Sequence, residues 1–284
     1  MGVSAPAPLI VNLAPTGMVP TRTQSAHVPL TPQEIITDVN ACIDLGAGMV
    51  HLHARDAEGA PTTDAAIFAE IIRGIRDHAP QVIITTTTSG RQVADAEMRA
   101  TTLRLEGDAK PDMASLTLGS MNFSTQASTN APATITRLAQ IMQERGIKPE
   151  LEVFDLGMVN YARVLIDKGI LTPPFYFNIL LGNVATAQFN LLHLAALIND
   201  LPPGSIWSLA GIGRYQAQVV ALGAVLGHGV RTGLEDNLWH DVERTRPATN
   251  PELVANVARQ AAAIGRPIAT PAQIRQWLQL EPRP

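Results

Sequence analysis

Residues 31–53 begin with Thr31-Pro32-Gln33-Glu34, continue as a helical pattern through Leu45, and end in Met49-Val50-His51-Leu52-His53. The opening is a helix start: a hydroxyl at the N-cap, proline in the first turn and glutamate at the third helical position form a capping box. The close is an apolar extended run of the kind seen in parallel strands, which are buried on both faces. That alternation repeats along the chain. Candidate strands fall at residues 9–13, 49–53, 82–86, 113–116, 151–154, 175–179, 206–209 and 229–232, each followed by a segment able to form a helix.

Eight strand–helix units with no spare strand predict a closed (β/α)8 TIM barrel, because an open sheet of that count would leave two edges to cover. No linker or composition shift divides the 284 residues, so one domain spans 1–284. A C-terminal helix at about 271–279 is expected to pack on the barrel or on a neighbouring subunit.

Charged residues are only 16% of the chain while hydrophobic ones are 46%, a balance that implies surface covered by other protein in a homo-oligomer. A net charge of −4, no basic run and 4% aromatics exclude nucleic acid as a partner. No apolar run reaches the roughly 18 residues of a membrane span, and the opening residues lack the basic region of a leader. A single cysteine, Cys42, rules out an internal disulfide, so the expected compartment is the cytoplasm.

In such barrels chemistry sits at the carboxyl ends of the strands. His51 and His53, two apart on an extended chain, face the same side and can hold a metal; core histidines bonded to backbone give the same spacing. A third ligand has to come from elsewhere. Strand 8 offers Arg231-Thr232-Gly233-Leu234-Glu235-Asp236-Asn237, and closure of the barrel brings it near strand 2, so that Glu235 can reach the histidines. Alternatively Glu235 and Asp236 cap a helix. Asp236 suits a general base with Arg231 orienting it, although the two can equally form a structural ion pair. Gly211-Ile212-Gly213-Arg214 after strand 7 sits where barrels place a phosphate site, and it reads equally as a tight strand-to-helix turn.

These segments, with Ala14-Pro15-Thr16-Gly17, His27-Val28-Pro29-Leu30-Thr31-Pro32, Asp112-Met113-Ala114-Ser115-Leu116 and Pro149-Glu150-Leu151-Glu152, resemble the β-keto acid cleavage enzyme family in register from about Val11 to Trp239. The resemblance implies a zinc-dependent, usually tetrameric barrel that converts a β-keto acid plus acetyl-CoA into acetoacetate plus a new acyl-CoA by Claisen and retro-Claisen chemistry. Another divalent metal would suit the same ligand types. It also implies His51, His53 and Glu235 as metal ligands, Asp236 as base, Arg231 as its orienting partner and Glu152 as a member of that network. Gly211, Gly213 and Arg214 would meet the CoA phosphates. Thr87 is implied as a hydroxyl near the substrate, with Thr86, Thr88 and Ser89 as neighbours in register.

Family members that accept an amino-bearing keto acid resemble one another in an acidic residue two positions after the first-loop glycine. Here the order is Gly17-Met18-Val19, which removes an attraction for ammonium and predicts an uncharged tail on the substrate. The competing reading is a metal-dependent amidohydrolase or lactonase, which also uses a His-x-His strand end. It wants further histidines after strands 5 and 6, where this chain has Phe154-Asp155 and Asn178-Ile179.

Overall fold

A computed structural model describes residues 7–283; the first six positions, part of the stretch read for a leader, lie outside them. The barrel strands are β1 (Ile10–Leu13), β2 (Met49–Leu52), β3 (Ile83–Thr86), β4 (Met113–Thr117), β5 (Lys148–Val153), β6 (Tyr176–Leu181), β7 (Ile206–Gly211) and β8 (Gly229–Thr232). All are parallel, each pairs with its sequence neighbour, and β8 closes onto β1 with Asn12 opposite Arg231 and Leu13 opposite Thr232. Closure satisfies every strand edge within the chain.

The helices are α1 (Pro32–Asp44), α2 (Ala65–His78), α3 (Ala96–Arg99), α4 (Pro132–Glu144), α5 (Leu156–Asp167), α6 (Leu191–Asp200), α7 (Gln216–Leu226), α8 (Asn250–Ala263) and α9 (Pro271–Leu278). Thr31 caps α1 in the expected box with Glu34, and Thr249 and Thr270 cap α8 and α9 in the same way. Two buried apolar layers lie between strands and helices, one around β4 to β7 and one around β1 to β3 and β8.

The third unit departs from expectation. Only the four-residue α3 and two 3-10 turns stand between β3 and β4. Beyond β3 the chain continues as Thr87-Thr88-Ser89-Gly90, small residues with no apolar stripe to bury, and Thr87 and Ser89 line the mouth instead of coiling against the sheet. Two small antiparallel ribbons, Ala54–Arg55 with Pro61–Thr62 and Met121–Asn122 with Ala127–Ser128, also rise from the mouth.

At the opposite end α9 closes the barrel. Ile274 and Leu278 join Ile10, Met49, Ile83, Met113 and Tyr176 in a plug with almost no exposure. No helix among the described residues is long and apolar enough to cross a membrane.

Candidate active site at the barrel mouth

His51 belongs to β2 and His53 follows it, so the strand's alternation points both rings into the lumen. Glu235 arrives from the loop after β8. That loop crosses close above β1: a Cβ at Gly233 (φ +145°) would collide with the Ala14 carbonyl, and one at Gly17 (φ +69°) would sit 2.6 Å from Glu235 Cγ. These two glycines let the first and last loops interleave and bring Glu235 over the histidines.

The result is a compact donor set. His51 Nε2 and His53 Nε2 are 3.3 Å apart, and Glu235 Oε1 lies 3.3 Å from the His53 nitrogen and 3.9 Å from that of His51. Glu235 Oε2 is buried with no hydrogen-bond partner, an orphan acceptor of the kind a cation would satisfy. His51 Nδ1 is 2.6 Å from Glu150 Oε2, and the other Glu150 oxygen accepts from Asn12 Nδ2 and Asn178 Nδ2, both at 2.7 Å. A carboxylate behind a ligating imidazole fixes the ring and its tautomer, leaving Nε2 for a metal. The residues present therefore fit a divalent ion held by two nitrogens and one carboxylate oxygen.

Arg231 ties the neighbouring acids together. Its Nε and Nη2 donate to both oxygens of Asp236 at 2.9 and 3.1 Å, Nη2 reaches Glu235 Oε1 at 2.7 Å, and Nη1 reaches Glu152 Oε1 at 3.2 Å. Thr117 donates to the second Glu152 oxygen at 2.6 Å. Three buried or partly buried carboxylates thus share one guanidinium, with Glu150 as a fourth behind His51, and the imbalance calls for positive charge. Burial and Arg231 oppose a second proton on His51, yet Glu150 and Glu235 outweigh them and push it up to about 9. His53, with burial, His51 and Arg231 all against protonation, is held below its ordinary value. Burial and the Glu235 charge raise the Asp236 carboxyl against the pull of Arg231, which makes it a stronger base.

A cavity of about 220 Å³ opens above this floor. Thr87 and Ser89 line it, whereas Thr88 is buried with its hydroxyl on the Ser115 carbonyl and Thr86 accepts from Thr102. The alternation of an extended segment separates the four hydroxyls. Val19, 46% exposed, forms part of the rim with Met18.

Not every expected residue converges. Gly211 and Gly213 make the tight turn into α7, where a Cβ on Gly211 would press on the Gln216 backbone and Gly213 takes φ +59° while donating to the Asp236 carbonyl at 2.7 Å. Arg214 is exposed and does not line the cavity. Among the described residues the histidines of the cavity are His51 and His53; His193 sits on exposed α6 and His228 packs on Trp207.

Sequence reasoning gave no role to Glu150, Asn12, Asn178 or Arg91. The first three carry a readable signal, since a lone polar residue within a fully apolar strand must face a satisfied lumen, and Glu150-Leu151-Glu152 places two acids on one face. Arg91 carries none, because it lies in the unpatterned loop after β3.

The chain matches the family described as beta-keto acid cleavage enzyme over residues 8–280. It is 38% identical to the 3-keto-5-aminohexanoate cleavage enzyme of Fusobacterium nucleatum, over 96% of this chain and 98% of that protein. It is 37% identical to the 3-oxoadipate:acetyl-CoA acetyltransferase of Cupriavidus necator, over 96% and 95%. The apo structure of ObcA shares the fold with a TM-score of 0.78 at 22% identity over 90% of this chain, which spans 66% of ObcA's length.

Proposed function

The chain belongs to the beta-keto acid cleavage enzyme family, and we propose that it converts R–CO–CH2–COO⁻ and acetyl-CoA into R–CO–SCoA and acetoacetate. The observation that carries this reading is the convergence of His51, His53 and an orphaned Glu235 oxygen beside the Arg231–Asp236 pair, on the floor of one cavity.

A divalent cation held by His51, His53 and Glu235 would polarise the substrate's keto oxygen and stabilise the enolate charge. We take that ion to be zinc, on the strength of a donor set of two imidazoles and a carboxylate with a second carboxylate behind one ring. Asp236 takes a proton from the CH2 between the keto and carboxylate groups. Arg231 holds Asp236 by two hydrogen bonds so that its free lone pairs face the cavity, and Glu152, anchored by Thr117, keeps Arg231 in place. Thr87 offers a hydroxyl to the substrate from the cavity wall.

The new carbon–carbon bond forms as the carbanion adds to the acetyl carbonyl and CoA thiolate leaves. That thiolate then attacks the original keto carbon, the bond between it and the newly acetylated carbon breaks, and the proton held by Asp236 returns to that carbon to give acetoacetate. Atoms and charge balance without oxidant or water. Gly211, Gly213 and Arg214 at the rim are our candidates for the CoA phosphates, supported by their position at the start of α7.

The exposed side chains Leu191, Leu192, Val225 and Leu226, with the low charged fraction, support a homo-oligomeric assembly, for which we propose the family's tetramer. A single buried Cys42 supports a cytoplasmic setting.

Mixing a panel of β-keto acids with acetyl-CoA and weighing the acyl-CoA products tests the reaction. Acetoacetate and one new acyl-CoA in equal amounts is the expected result. Metal-dependent hydrolysis of an amide or lactone, with no CoA requirement, would favour the hydrolase reading instead.

A further inference from the structure

The cavity that Val19 lines also contains a cation that the proposed chemistry does not use. Arg91, half-buried in the loop after β3, lays its guanidinium over the Phe123 ring at 3.6 Å from the centroid, and both residues line the cavity. Phe123 stands in the ribbon that leaves the mouth after β4. Among the described residues Arg91 makes no ion pair. The acids whose charge reaches it are Glu235, Glu152 and Asp236, and each of these already bonds Arg231.

Stacking on an aromatic face fixes the guanidinium plane and leaves its N–H edges free for a planar, bidentate acceptor. The carboxylate next to the keto group would be met on the floor by the Thr87 hydroxyl and by the cation that His51, His53 and Glu235 would hold. Arg91, on a mouth loop against the ribbon, is placed for a different oxygen pair.

We infer that Arg91 is a specificity-determining residue that receives a second carboxylate at the far end of the substrate, making the preferred substrate a dicarboxylic β-keto acid. The inference rests on the reaction proposed above for this cavity. Val19 and Arg91 act in one direction, since the first removes an attraction for a cation and the second supplies one for an anion. The uncharged tail expected from Val19 alone becomes an anionic one once Arg91 in the same cavity is included.

The test titrates the zinc-loaded protein, without acetyl-CoA, with 3-oxoadipate and 3-oxohexanoate, six-carbon β-keto acids that differ in the terminal carboxylate. The wild type is expected to bind 3-oxoadipate at least about tenfold tighter, Arg91→Met to shrink that ratio by about 10- to 100-fold, and Arg91→Lys to restore part of it. Equal binding of the two acids by the wild type overturns the inference. So does an equal loss of both in Arg91→Met, which would put Arg91 on the carboxylate they share. An unchanged ratio, with acetyl-CoA titrated separately and bound more weakly by Arg91→Met, would assign Arg91 to a CoA phosphate and also overturns it. Binding is read without acetyl-CoA, so a protein that selected the dicarboxylate yet formed no acetoacetate would refute the reaction class and leave this inference standing.

Discussion

At the amino end of the barrel Asp112 accepts from Arg76, Arg275 and Arg283 at 3.0–3.1 Å, while at the carboxyl end Glu152, Glu235 and Asp236 crowd around Arg231 and Glu150 backs His51. Both networks are buried, yet they are settled in opposite ways. Arg275 and Arg283 below spend further N–H groups on backbone carbonyls, among them Gln81, Val82 and Lys110, Arg76 keeps a buried Nε unpaired, and an apolar plug fills the space above them. Above, one Glu235 oxygen has no partner and a cavity adjoins it. Both ends carry a surplus of one sign, and what separates them is space: packed apolar side chains adjoin the structural network, and open volume adjoins the site.

Exchanging one acid at each end breaks this contrast most sharply. Asp236→Asn is expected to lower kcat by about 10³- to 10⁴-fold while the metal content per chain stays at the wild-type level, checked by steady-state assay and elemental analysis. Full turnover in this variant would remove Asp236 as the base. Asp112→Asn should act on the fold and not on the chemistry, costing about 3–5 kcal/mol in urea unfolding because it strands buried guanidinium charge. Turnover per folded molecule is expected to stay at the wild-type value, and a specific loss of kcat would merge the two ends functionally.

A finer test of the upper network is Glu150→Gln. The amide keeps one acceptor for His51 Nδ1, turns an NH2 toward the Asn12 and Asn178 donors and carries no charge, so metal affinity should fall by about 10- to 100-fold in a chelator competition. An unchanged affinity would make Glu150 a strut for Asn12 and Asn178 alone.

The smallest expected effect concerns Asp38, on α1 between the two ends. Its carboxylate accepts from Asn250, which also donates to the Pro15 carbonyl and accepts from the Leu234 amide, tying together the loops that interleave over the histidines. Burial pushes Asp38 up to about 6 despite the Asn250 bond. A folded pKa above the unfolded one contributes stability that is present below about pH 4 and lost as pH rises through 6. Asp38→Asn avoids that loss, so its stability relative to wild type should grow by about 2 kcal/mol between pH 4 and pH 8. A pH-independent difference in thermal midpoints would contradict this.

Much of this was legible in the primary structure. Periodicity gave the barrel because a parallel strand buried on both faces leaves an unbroken apolar run, and all eight runs became strands within a few residues of their expected ends. The His-x-His pair was readable because side chains alternate on an extended chain. The helix expected after β3 is cut to one short turn and two 3-10 turns for a local reason, since the hydroxyl run that follows the strand has no apolar face and few residues beyond it, Ala100 and Leu103 among them, dock on the core. Arg91 was invisible because a loop has no period, and its partner Phe123 lies on another loop.

What the sequence by itself determined was the set of elements, the acids and imidazoles at their ends, and the family to which they belong. Local propensity and alternation act over a few residues and are written directly in the order of side chains. Only the tertiary structure decided which of those groups meet. Closure of β8 on β1 and the passage of Gly17 against Gly233 bring Glu235 to within 3.3 Å of His53, across 182 positions of chain. The electrostatic balance was likewise decided there, because charge surplus depends on distances and burial that exist only after the chain has folded.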